Sequence, residues 1–115
     1  MHGQRQDAAA EAVLFRTPDD AGPGEEAGPF VELDAHGQML TVNGGRQSYA
    51  SLFSADACAE GRPEELLRLA RRHGLVRDCV LRRDAGGIAR QQRIALQALR
   101  DAQGNLVGFR EFQLR

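Results

Sequence analysis

The residues of this chain that could carry chemistry are few and scattered. Cys58 and Cys79 do not form a C-x-x-C pair, and no His/Cys cluster stands beside either. Their spacing favours neither a disulfide nor a zinc site, and they read as partly buried thiols. Ser48, Ser51 and Ser54 lack a G-x-S-x-G context. Gly44-Gly45 and Gly86-Gly87 do not precede a helix opening with Lys-Ser or Lys-Thr, so no phosphate loop is indicated. Asp19-Asp20 and Glu25-Glu26 form a solvated charge run, and His36 and His73 read as a turn tip and a helix end. These residues give no indication of an enzyme.

The elements around them are better marked. Asp34-Ala35-His36-Gly37, Asp84-Ala85-Gly86-Gly87 and Asp101-Ala102-Gln103-Gly104 all read D-A-x-G between apolar stretches. Asp suits the first position of a type I turn, and Gly takes the positive φ of a following bulge. The pattern predicts hairpins Phe30–Leu33 with Gln38–Val42, Leu75–Arg83 with Ile88–Leu99, and a last strand Leu106–Leu114. A helix is predicted over 63–73. Pro63, Glu64 and Glu65 suit its start, Arg71, Arg72 and His73 its last turn, and Gly74 its end. Residues 46–61 read as irregular, with one helical turn around Tyr49–Phe53. Residues 6–16 favour a short helix, which must pack on something to persist. Three Pro, three Gly and four acids within 17–29 mark a linker.

The expected fold is therefore α+β: a five-stranded antiparallel sheet with helices on one face, preceded by an N-terminal helix. Residues 1–29 would hold that helix and a flexible acidic Pro/Gly linker, and 30–115 the domain. At 115 residues there is room for one modest core. No apolar run approaches the ~20 residues of a membrane span, and no signal-peptide core follows the N-terminus, so a cytoplasmic location is expected. All fifteen basic residues are Arg. Residues 1–61 carry ten acids and three Arg, net −7, and residues 62–115 six acids and twelve Arg, net +6. Such polarity can steer one copy or one partner against a face. The Arg residues are dispersed, with few aromatics among them to stack on bases, so no nucleic-acid partner is expected.

This order of elements and turns resembles a PAS domain over about residues 29–115. Phe30 to Gly37 followed by Met39-Leu40-Thr41-Val42-Asn43 is similar to the family's opening hairpin. Gly74-Leu75-Val76 resembles the start of its third strand. Arg82-Arg83-Asp84-Ala85-Gly86-Gly87 and Leu99 to Gly108 resemble its later turns. Arg110-Glu111-Phe112-Gln113 sits where the family often has its exit motif. The segment from Asn43 to Pro63 is short for the family, which usually walls its ligand cavity there.

The resemblance implies a non-catalytic regulatory domain of a larger bacterial signalling protein, such as a sensor histidine kinase or diguanylate cyclase. It would work through small-ligand sensing, dimerisation or both, with an effector domain in the same full-length protein. A ligand-free interaction and dimerisation module and a small cone-fold enzyme or transport-factor-like domain are the alternatives. For the last, Tyr49 is the sole tyrosine and no buried acid is evident in the pattern. A pocket between sheet and helix would be lined by Leu40, Val42, Leu66, Leu69, Ala70, Cys79, Leu81, Ile94, Leu96, Phe109 and Phe112. No cofactor is named: neither cysteine matches the flavin-adduct motif, and neither His73 nor His36 is placed as a haem ligand. A homodimer is expected through Ala9, Ala12, Val13 and Phe15, and a signal exit through Arg110, Glu111 and Gln113.

Overall fold

The turns at Asp34 and Asp101 are built alike. Asp34 Oδ1 accepts the N–H groups of His36 (2.9 Å) and Gln38 (3.0 Å), and the Gly37 N–H donates to the Asp34 carbonyl at 3.0 Å. Asp101 Oδ1 accepts those of Gln103 (3.0 Å) and Asn105 (2.9 Å), with Gly104 donating to the Asp101 carbonyl at 3.0 Å. Gly37 and Gly104 sit at φ 83 and 86, where a Cβ would be strained. Burial pushes the Asp34 carboxyl up, but backbone donation and the charge of Arg46 outweigh it and hold the group below its usual range. Backbone donation, first from Asn105, does the same for Asp101.

The structure, a computed structural model, describes residues 15–16, 27–41, 44–83 and 87–115. Its strands are β1 (Phe15–Arg16), β2 (Ala27–Asp34), β3 (Gln38–Leu40), β4 (Arg46–Ser48), β5 (Leu75–Arg83), β6 (Ala89–Arg100) and β7 (Leu106–Leu114). A 3-10 turn at Tyr49–Leu52 and two α-helices, α1 (Ala55–Ala59) and α2 (Arg62–His73), lie between β4 and β5. The sheet runs β4-β3-β2-β7-β6-β5, with β1 paired to β2, and every pairing is antiparallel. It curls into a half-barrel.

Local chemistry places the short elements. Ser48 Oγ accepts the Ala50 N–H and Ser54 Oγ the Ala57 N–H, both at 3.2 Å, so two serines cap the starts of the 3-10 turn and α1. The last turn of α2 ends at Gly74 (φ 88), whose N–H returns to the Ala70 carbonyl at 2.7 Å. Alternation along the long strands then divides the apolar residues between two clusters. The larger joins Val31, Leu33, Met39, Tyr49, Phe53, Leu66, Ala70, Val80, Ile94, Leu96 and Phe109. The smaller joins Ala27, Phe30, Ala95, Phe112 and Leu114.

The expected architecture is corrected on two counts. Among the described residues the molecule is mostly curled antiparallel sheet with two α-helices, not a five-stranded sheet with helices on one face, and the end of the expected N-terminal helix, Phe15–Arg16, is strand. Two short ladders make the difference. Arg46–Ser48 pairs with β3 although it holds no apolar residue, so alternation could not mark it. Phe15 and Arg16, expected in a helix, pair with Val31 and Phe30 along β2, on the edge β3 leaves open. Ladder bonds there outweigh the modest propensity of a short Ala-rich segment. Residues 6–14 of that expected helix lie outside the described residues.

Candidate functional site

Three side chains far apart in sequence meet inside the larger core. β7 alternates, so Glu111 falls on the same side as Phe109 and is fully buried. β5 likewise sets Arg82 on the side of Val80, and Arg82 is 8 % exposed. The 3-10 turn carries Tyr49 in from above, 1 % exposed. Glu111 receives the Tyr49 hydroxyl and both terminal nitrogens of Arg82. Tyr49 Oη donates to Glu111 Oε1 at 2.6 Å, and Arg82 Nη1 donates to Oε2 at 2.9 Å. Arg82 Nη2 closes the fork onto Oε1. The guanidinium lies 4.9 Å from the Phe53 ring centre, and that ring meets Tyr49 edge-on at 4.9 Å.

The electrostatics follow from burial. Burial first, then the charge of Glu111 and the hydrogen bond to it, hold the Tyr49 hydroxyl well above its ordinary range. For Arg82, burial works against the charge, but Glu111 outweighs it and the group is held above its ordinary value. Tyr49 is thus a firm donor and no base. The cluster's hydroxyl and both carboxylate oxygens are engaged with one another; Arg82 Nε alone has no partner. This arrangement clamps the connector between β4 and β5 onto the far side of the sheet. It offers no open position for a reacting molecule.

The residues anticipated for a pocket separate. Leu66, Ala70, Ile94, Leu96 and Phe109 do come together, and each is completely buried in the filled core. Phe112 belongs to the other cluster, with its ring 5.0 Å from that of Phe30. Leu40 and Leu81 are 43 % and 42 % exposed, and Cys79 is exposed as well. Leu69 is half-buried outside the cluster, and Val42 lies outside the described residues. Of the residues expected in a dimer contact, Ala9, Ala12 and Val13 lie outside the described residues, and Phe15 is in β1. The expected exit residues Arg110, Glu111 and Gln113 all lie within β7. Arg110 Nε bonds Glu32 Oε2 at 3.2 Å with its guanidinium 4.8 Å from the Phe30 ring, Glu111 anchors the buried cluster, and Gln113 is half-buried.

Sequence reasoning found no buried acid, and Glu111 is one. The available signal was parity: a lone acid two residues after Phe109, on the same side of its strand. No protein-family model and no curated protein matches the chain. Among the described residues, no helix is long and apolar enough to cross a membrane.

Proposed function

We propose that the chain is a regulatory PAS-type domain of a larger cytoplasmic bacterial signalling protein, of the sensor histidine kinase or diguanylate cyclase type. In this reading it is non-catalytic and works through protein–protein contact. The observation that carries the reading is the filled core. Where a ligand pocket was expected, Leu66, Ala70, Ile94, Leu96 and Phe109 occupy the space themselves with no exposed surface. The Tyr49–Glu111–Arg82 cluster supports it, because it ties the connector shut and is almost wholly buried. The hairpin turns that carry the family resemblance add to it.

Native mass spectrometry of the purified protein, with an absorption spectrum of the same sample, tests this. The mass should equal that of the polypeptide alone or a whole multiple of it, with no visible band. A retained small molecule or a chromophore would overturn the contact reading in favour of ligand sensing.

A further inference from the structure

The solvent side of α2 changes sign along its length. Its first turn carries Glu64 and Glu65, and its second half carries Arg68, Arg71, Arg72 and His73, all of them exposed. Arg100, also exposed, joins this end from β6. Its Nη2 donates to the Arg71 carbonyl at 2.7 Å and its Nη1 to the Gly104 carbonyl at 3.0 Å, both neutral acceptors. Elsewhere arginines meet carboxylates: Arg46 meets Asp34, Arg62 meets Glu65 and Asp78, Arg82 meets Glu111, and Arg110 meets Glu32. Among the described residues no carboxylate pairs with Arg68, Arg71, Arg72 or Arg100.

Helix stability does not account for the whole group. Cations in the last turn complement the negative end of the dipole, which covers Arg71, Arg72 and His73. Arg68 lies further in. It stands three and four residues before Arg71 and Arg72, where like charges on a helix surface repel. Glu64 lies four residues before Arg68, a spacing that suits a pair, yet none forms. The fold therefore holds these cations together against their repulsion, which an anionic partner would relieve.

The surroundings select the kind of anion. α2 carries no aromatic residue, and Phe30, Tyr49, Phe53, Phe109 and Phe112 are all buried, so they offer no platform for nucleic-acid bases. None of the exposed large apolar residues Leu40, Leu81, Ile88 and Val107 belongs to α2, so the helix has no apolar face to sink into a lipid surface. Carboxylates fit best. Arg takes them in paired hydrogen bonds, and acids on one face of a helix recur at the same three- and four-residue spacing as Arg68, Arg71 and Arg72.

We propose that Arg68, Arg71, Arg72 and Arg100 form a docking surface for an acidic helical segment of a partner protein. This names a partner chemistry for the contact reading and rests on it. A small molecule retained in the mass spectrum would overturn that reading, whereas a peptide titration decides the surface alone.

Fluorescence anisotropy tests it, with the full chain titrated into a fluorescein-labelled peptide of Ala and Glu whose Glu residues share one helical face. Salt of about 10 mM keeps the screening length near 30 Å. The wild type should bind, and Arg68→Gln/Arg72→Gln should weaken binding about tenfold through two lost exposed charge pairs. Arg90→Gln/Arg93→Gln removes the same charge from β6 and should weaken it less than about twofold if the α2 surface is what docks the peptide. Far-ultraviolet circular dichroism checks that both variants fold, and Arg68→Gln alone, with a smaller loss in the same direction, serves if the double variant does not. No binding by the wild type, or equal losses in the two variants, would overturn the proposal. Tighter binding of single-stranded oligothymidylate or of phosphatidylserine vesicles, lost with the same α2 arginines, would overturn it in favour of nucleic acid or membrane.

Discussion

Replacing Glu111 with Gln tests the central cluster most directly. All three polar contacts of the carboxylate come from donors: the Tyr49 hydroxyl and the two terminal nitrogens of Arg82. Gln offers one oxygen and one NH2, so its nitrogen must face a donor whichever way the amide turns. The guanidinium also loses its counter-charge at a position that is 8 % exposed. Breaking a buried pair by removing one partner costs about 3–5 kcal/mol. That is a large part of the ~5–15 kcal/mol that holds a domain of this size together. With an m-value of about 1.5–2 kcal/mol/M, the urea midpoint should fall by roughly 2 M. Removing the whole cluster, as Tyr49→Phe/Arg82→Met/Glu111→Leu, should recover most of the loss, because apolar residues of similar volume leave no orphaned charge. A Glu111→Gln loss below about 1 kcal/mol would refute the reasoning, since Arg82 would then have to reach water. A triple variant no more stable than Glu111→Gln would refute it too.

Two further outcomes follow from the same structure. Tyr49 is the sole tyrosine, so tyrosinate absorbance reports it alone. Its pKa is raised on folding, so its contribution to stability is complete below the unfolded value of about 10 and is lost as pH rises above that value. Tyrosinate absorbance should therefore appear together with unfolding at alkaline pH, and ionisation of the native protein at its ordinary pH would contradict this. Alanine at Gly104 should cost about 1–2 kcal/mol for the left-handed conformation. At Gly108 the cost should be larger, because a Cβ there would run into the backbone carbonyl of Leu33, whereas nothing lies within 4 Å at Gly104. Equal losses in thermal melts would count against the Leu33 contact.

Much of the framework was legible because it is encoded locally. The turns at Asp34 and Asp101 carry their own acceptor and their own glycine, and β5, α2 and β7 announce themselves by alternation or by capping residues. What escaped depends on pairing across the chain. β4 has no apolar residue to betray it, and β1 exists only because β2 has an open edge. The anticipated pocket mixed residues from both sides of the sheet, since Phe109 and Phe112 share a strand but differ in parity. The buried cluster was missed because its members come from a turn and two strands, and only the sheet order β7-β6-β5 brings them into reach.

That order also has a consequence for how the molecule is made. β2, among the first strands in the chain, is seated between β3 and β7, the last strand, with Ala27 opposite Leu114 and Leu33 opposite Phe109. On the ribosome, β2 and its hairpin emerge early but cannot gain their second neighbour until β7 has cleared the exit tunnel. The β5–β6 hairpin can form first, leaving two half-sheets with unsatisfied margins until the final strand inserts between them. Joining across so long a separation is slow. The interval between synthesis of β2 and arrival of β7 is when the nascent chain most needs protection from its neighbours.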